Sequence, residues 1–260
     1  MTNPADTIIA VRNLKIGYGE RIILQNINFQ VQRGEVFMIL GGSGSGKSTL
    51  LKNMIGLYTP DEGEIWIEDG NMAAAGEEER LLLFRKFGVM YQGGALFGSM
   101  TVLENVRLPL DEFTDLPEPI KDFVALAKLK QVGLVAAAGK MPSELSGGMQ
   151  KRAAIARAMA LNPCILFLDE PSAGLDPVTS AELDLLIKEL AQQCGITFVI
   201  VTHELASIYG IADRVILLDA RTRTIVAEGK PASLREHATD PWVRKFFNRQ
   251  PEPAEVTQPH

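Results

Sequence analysis

The stretch Glu35–Leu57 reads EVFMILGGSGSGKSTLLKNMIGL. Its first part is an unbroken apolar run without polar alternation, the pattern of a strand buried on both faces. Its last part places Leu50, Leu51, Met54 and Ile55 on one face of a helix. Glycines and serines lie between. A linker has no reason to stand between a buried strand and an amphipathic helix, so the stretch reads as strand, tight loop, helix.

Gly41, Gly46, Lys47 and Ser48 fit the G-x-x-x-x-G-K-S pattern of a P-loop. Across Gly41, Gly42, Ser43, Gly44, Ser45 and Gly46 the backbone is free to fold around phosphate oxygens and turn N–H groups inward. The helix that follows adds its positive end. Lys47 supplies a cation for the β- and γ-phosphates, Ser48 a hydroxyl for Mg²⁺, and Thr49 a hydroxyl within reach of the α-phosphate. Phosphate and metal call for an acidic element elsewhere. ILFLDE provides it, four apolar residues ending in Asp169 and Glu170. Asp169 is expected to hold Mg²⁺, and Glu170 to act as general base on the attacking water. His203 closes the run ITFVIVTH. The carboxyl ends of parallel strands are where α/β sheets collect their sites, so it is expected at the γ-phosphate.

Outward from this centre, CILFLDE, ITFVIVTH and RVILLD read as further buried strands, and Leu183, Leu186, Ile187 and Leu190 form one stripe of a helix over 179–193. Alternating strands and helices imply an α/β fold with a mostly parallel core sheet. Ile8–Val11, Ile22–Leu24 and Ile27–Val31 are short β-rich runs between turn residues, an antiparallel β subdomain. PDEGEIWIEDG reads as a hairpin, residues 72–86 as a helix and FGVMYQ as a strand. From about 100 to 160 the pattern is helical, with Pro109, Pro117, Pro119 and Pro142 as punctuation.

The chain has 260 residues, 46% apolar, with 26 basic against 32 acidic residues and a net charge of −6. That balance gives no general attraction to nucleic acid, and none is expected as a partner. Cys164 and Cys194 lie in no metal-ligand pattern and read as reduced, buried thiols. No signal peptide is visible, and no run of about 18 apolar residues suggests a membrane span. A cytoplasmic protein is expected, held at a membrane, if at all, by something else.

Glu144–Pro177 reads ELSGGMQKRAAIARAMALNPCILFLDEPSAGLDP. Ser146, Gly147 and Gly148 open an amphipathic helix, a second anion-binding helix start in a chain with one P-loop. This is the signature motif of ABC ATPases, and the chain resembles that family over nearly its whole length. The resemblance implies ATP hydrolysis by two subunits associated head to tail, the signature of one capping the γ-phosphate on the P-loop of the other. It implies that Tyr18 stacks on adenine, that Gln92 approaches Mg²⁺ and water, and that Asp176 of the D-loop communicates across the dimer. Met149 stands where the signature usually ends in Gln; the phosphate-capping atoms come from Ser146 and the backbone, so activity is expected to survive.

The run YQGGALFGSMTVLENVRLPL, then KMPSELSGGM and DPWVRKFF, resembles the ATPases of Mce-linked, Mla-type phospholipid transport systems. That resemblance implies a permease, a periplasmic Mce-domain protein and a STAS-domain subunit as partners. It implies a peripheral place on the cytoplasmic face of the inner membrane, and lipid cargo moved between inner and outer membranes. The D-loop SAGLD is the commoner form, which leaves a related Mce system with another lipid open. A polar-solute importer ATPase and a soluble regulatory ABC ATPase are the alternatives. The expected layout is a RecA-like core with its β subdomain over 1–92 and 160–248, a helical subdomain over 93–159, and a flexible tail over 249–260. Ala95, Leu96 and Phe97 are expected to help form an exposed groove for a permease coupling helix.

Overall fold

The computed structural model describes residues 6–19 and 21–249. The apolar run of the opening stretch is strand β3, Val36–Gly41, buried at every position. It lies inside a six-stranded sheet of order β10-β9-β3-β8-β7-β6. Here β6 is Phe87–Met90, β7 Ile165–Asp169, β8 Thr197–Val201, β9 Arg214–Asp219 and β10 Thr224–Gly229. Strands β9, β3, β8, β7 and β6 pair in parallel, and β10 closes the edge antiparallel to β9.

Two apolar layers explain the unbroken runs. Val36, Met38 and Leu40 of β3 face one, with Leu166, Leu168, Phe198 and Ile200. Phe37 and Ile39 face the other, with Phe167, Val199 and Val201. The second layer also takes in α1, Lys47–Met54, through Leu50, Leu51 and Met54. It is closed by a four-stranded antiparallel sheet of order β2-β1-β4-β5. Those strands are β1 Thr7–Tyr18, β2 Arg21–Gln32, β4 Glu62–Ile67 and β5 Gly70–Asn71. The first layer holds α6, Pro177–Cys194, with Leu183, Leu186, Ile187 and Leu190 inward as the stripe required.

The three short runs near the start are two long strands. Asn13 and Asn26 take positive φ of 48° and 52° and kink the strands from within, where the apolar runs break. Register shifts mark the pairing there, and the Asn28 carboxamide accepts from the Asn13 N–H at 2.8 Å. The expected helix over 72–86 is shorter, α2 at Glu77–Phe84. The Asn71 side chain accepts from the N–H groups of Ile65 and Ala73, which winds the preceding residues into a turn instead.

The helical insert comprises α3 Val102–Phe113, α4 Glu118–Gln131 and α5 Gly147–Ala158. Thr101 and Glu104 form a capping box at the start of α3. Pro109 lies inside α3 and does not end it. The stop comes at Thr114, whose N–H and hydroxyl both donate to the Leu110 carbonyl. Pro117 and Pro142 do stand at element starts. Helices α7 Leu205–Ile211, α8 Pro231–His237 and α9 Pro241–Phe247 complete the order.

Both cysteines are free, but only Cys164 is partly buried. Cys194, the last residue of α6, is exposed. Among the described residues no helix is long and apolar enough to cross a membrane. The expected tail lies, from residue 250 on, outside the described residues.

Candidate active site

The phosphate loop begins where β3 stops. At Gly41 any Cβ would lie 2.3 Å from Ser45 Oγ and 2.8 Å from the Leu218 carbonyl oxygen, so the loop closes only over a bare backbone. The Ser45 hydroxyl is buried without a protein partner. Lys47 folds back to donate to the carbonyls of Gly41 and Gly42 at 2.9 and 3.0 Å. Burial pushes its pKa down, against the pull of Glu170 and Asp169.

Ser48 Oγ donates to Asp169 Oδ1 at 3.4 Å, joining the start of α1 to the end of β7. Burial raises the Asp169 pKa, and the Glu170 charge raises it further. A hydroxyl and a carboxylate oxygen converging on a phosphate loop are hard oxygen donors, the set that Mg²⁺ takes.

Glu170 turns out of β7 in a left-handed conformation, φ 48°, while its N–H still donates to the Val201 carbonyl at 2.8 Å. Non-glycine residues adopt this conformation only when their surroundings hold them there. The turn aims its carboxylate at His203, Oε1 to Nδ1 2.8 Å. The Glu170 side chain is 14% exposed and that of His203 69%. The carboxylate is therefore sheltered, while the imidazole stands toward solvent.

Gln92 lies exposed in the turn after β6. Its carbonyl accepts from Lys151 Nζ, and Arg157 donates to the next carbonyls, of Gly94 at 2.8 Å and Ala95 at 2.7 Å. Tyr18 ends β1 half exposed, its ring edge-on to Tyr58 with centroids 6.0 Å apart.

Ser146 caps α5, its Oγ accepting from the Met149 N–H at 3.3 Å. Among the described residues Ser146 makes no hydrogen bond to the phosphate loop of its own chain. Met149 packs on the core, partly buried. Gln150 Nε2 donates to the Pro142 and Leu145 carbonyls at 3.0 and 3.3 Å and holds the loop that presents Ser146. Asp176 caps α6, accepting from Val178 N, Thr179 N and the Thr179 hydroxyl, and the Thr179 bonds hold its pKa low. A Cβ on Gly147 would lie 3.4 Å from the Leu175 Cδ2, so D-loop and signature touch, and one on Gly148 would lie 2.4 Å from the Thr179 methyl at the start of α6.

The structure thus brings Lys47, Ser48, Asp169, Glu170 and His203 together and leaves Ser146 apart. The sequence reading missed Gln150, Lys151 and Arg157. The signal was present: Lys151 and Arg157 are cations in a helix whose stretch from Ala153 to Ala158 is otherwise Ala and Ile, where charge on a core-facing side calls for a partner.

The chain belongs to the ABC transporter family, whose model matches residues 24–173. It is an ATP-binding, ATP-hydrolysing cassette, as the α/β fold and P-loop required. It is 40% identical over 248 residues to the intermembrane phospholipid transport system ATP-binding protein MlaF of Escherichia coli K12, a match covering 95% of this chain and 91% of MlaF. It is 39% identical over 244 residues to the methionine import ATP-binding protein MetN of Carboxydothermus hydrogenoformans, covering 93% of this chain and 72% of that one. Among solved structures it is similar to a dimeric post-hydrolysis state of the cassette MJ0796 bound to ADP and Pi, with TM-score 0.75 and 34% identity over 85% of this chain and 98% of the other.

Proposed function

We propose that this chain energises a membrane transporter of phospholipid or a related lipid between inner and outer membranes, as a peripheral subunit on the cytoplasmic face. The observation that carries the hydrolytic reading is the sheltered Glu170 carboxylate, aimed by a left-handed turn at His203 beside the Ser48–Asp169 pair. The lipid reading is supported by the likeness to MlaF at 40% identity over 95% of the chain.

In the proposed reaction Tyr18 stacks on adenine and residues Gly41–Thr49 cradle the phosphates. Lys47 exchanges its two loop carbonyls for phosphate oxygens. Glu170 accepts the proton of the attacking water as its oxygen bonds to the γ-phosphorus. The bond to the β–γ bridging oxygen breaks and ADP leaves. His203 keeps the Glu170 carboxylate in line and meets the γ-phosphate. Ser48, Asp169 and the Gln92 amide are the groups to hold Mg²⁺, which when bound neutralises phosphate charge.

Ser146, Gly147, Gly148 and Met149 serve the nucleotide on a second copy, which is why Ser146 has no bond to its own phosphate loop. The two copies associate head to tail, with Asp176 at the seam. The other partners are a permease, an Mce-domain protein and a STAS-domain subunit. The permease docks on the helical subdomain, residues 93–159, next to Phe97. Phe97 is 51% exposed, whereas Leu96 packs against the core, so the docking contact rests on Phe97. Among the described residues, the RecA-like core with its β subdomain runs to about 92 and again over 160–248. A second reading, a polar-solute importer, is favoured by the likeness to MetN.

Glu170→Gln tests the chemistry. The amide keeps a hydrogen-bonding group at His203 but cannot take the proton. ATP should bind, the dimer accumulate, and turnover fall about 10²–10⁴-fold; near wild-type hydrolysis would remove Glu170 as the base. Purification of the chain from detergent-solubilised membranes tests the cargo. Recovery with an Mce-domain protein supports lipid, and recovery with a solute-binding protein supports the alternative.

A further inference from the structure

Helix α5 carries Ser146 at its start and the Gln92 loop along its side. Lys151 is only 7% exposed, and its ammonium donates to the Gln92 carbonyl. Six residues on, about one and two-thirds turns, the Arg157 fork donates to Gly94 O and Ala95 O. Gly94 and Ala95 are both left-handed, φ 75° and 49°, and two such residues in a row point successive carbonyls the same way, where one guanidinium meets both. Between the two cations the loop lies flat on the helix: a Cβ on Gly94 would sit 3.5 Å from the Ala154 methyl and 3.6 Å from the Gln150 carbonyl oxygen. Strand β6 is as close, since a Cβ on Gly88 would sit 1.9 Å from the Ala158 carbonyl oxygen.

Lys151 is buried and Arg157 partly buried, and cations withdrawn from water ordinarily pair with carboxylates. Here the recorded hydrogen bonds of both go to backbone carbonyls of one short loop, which fixes that loop's position and leaves its side chains free. Gln92 thus keeps an exposed side chain on a tethered backbone.

We infer that Lys151 and Arg157 are positioning residues that clasp the Gln92 loop to the signature helix, so that a shift of Gln92 at its own nucleotide carries Ser146 toward the nucleotide of the partner. A helix of this length, 12 residues, moves as a rod. The loop and the signature then cannot move separately while the clasp holds. This inference rests on the proposed roles of Gln92 and Ser146, and its test separates the two.

The experiment is a double-mutant cycle in full-length Glu170→Gln protein, combining Lys151→Met with Gln92→Ala. Two quantities are read: affinity of the single chain for a fluorescent ATP analogue, and ATP-driven dimerisation by analytical ultracentrifugation. Lys151→Met should leave nucleotide affinity within about twofold and weaken dimerisation about tenfold or more, the effect of losing one charge-assisted hydrogen bond. Added to Gln92→Ala it should cost little further, because the signal it relays is already gone. Independent, additive losses, or unchanged dimerisation in Lys151→Met, overturn the clasp and leave the Gln92 reading standing. No effect of Gln92→Ala alone overturns that reading and the clasp with it. Should Lys151→Met not fold, Arg157→Lys runs the same cycle: it keeps the charge, gives up the fork, and must show the same non-additivity.

Discussion

Asn105 is fully buried in α3, 0% exposed, and its carboxamide closes the loop between Gln92 and that helix. Its Oδ1 accepts from the Phe97 N–H at 2.7 Å, and its Nδ2 donates to the carbonyls of Phe97, Met100 and Thr101 at 3.1, 3.1 and 2.9 Å. Asn105→Ala removes all four bonds, but the losses are unequal. The Phe97 and Thr101 carbonyls keep backbone donors, from Met100 and Asn105. The Phe97 N–H and the Met100 carbonyl are left without the partner the side chain gave them. At about 1–3 kcal/mol per buried group left unpaired, the variant should lose roughly 3 kcal/mol. That is a large share of a total stability of about 5–15 kcal/mol. Urea unfolding followed by circular dichroism should show the midpoint falling with an unchanged slope. A loss below about 1 kcal/mol would mean that water replaces the carboxamide and that the loop is not pinned from inside. The same variant should weaken recovery of the permease, because Phe97 loses both its bonds to the Asn105 side chain and keeps only the one from the Met100 N–H.

Phe97→Ser, a change at a half-exposed side chain, should alter stability by no more than about 0.5 kcal/mol yet reduce co-purification of the permease; intact assembly would remove Phe97 from the interface. Gly88→Ala should cost about 3 kcal/mol, because the new Cβ meets the Ala158 carbonyl, a backbone atom that cannot turn away; thermal unfolding reports it. Asp184, on α6 beside Ser207 and Glu204, has its pKa raised from 3.8 to about 6 by burial, with the Glu204 charge adding to the rise. A carboxyl raised in the folded state binds protons that the unfolded chain does not, so its contribution to stability falls as pH rises from 3.8 to about 6. Asp184→Asn should match the wild type at about pH 4 and exceed it by about 1 kcal/mol at about pH 7, solvent screening having reduced the full shift; a difference independent of pH would refute this.

What the sequence made legible was chemistry carried by neighbouring residues. Gly41–Thr49 needs only a strand before it and a helix after it, so its pattern is local. Asp169, Glu170 and His203 were legible because each ends an apolar run, and strand ends are where such sheets gather side chains. What escaped depends on partners distant along the chain. Lys151 and Arg157 look like solvated charges until the Gln92 loop is laid against them. Asn105 looks like an ordinary helix residue until the loop ahead of it turns back onto its carboxamide. The bulges at Asn13 and Asn26 were missed for a related reason. Asn suits both a turn and a left-handed step within a strand, and only pairing across β1 and β2 selects the second. The Leu96–Phe97 pair was read as equally exposed, and nothing local distinguishes the two.

The neighbours of β3 in the sheet are β8 and β9, with Phe37 opposite Val199 and Arg214. This unbroken apolar segment therefore emerges from the ribosome some 160–180 residues before either strand that will flank it. At about 5–20 residues per second, Val36–Leu40 waits on the order of ten seconds or longer with both edges unpaired. The strand that makes the phosphate loop possible is thus also a long-lived sticking point of the nascent chain, and a chaperone meeting this protein during synthesis would find it open there.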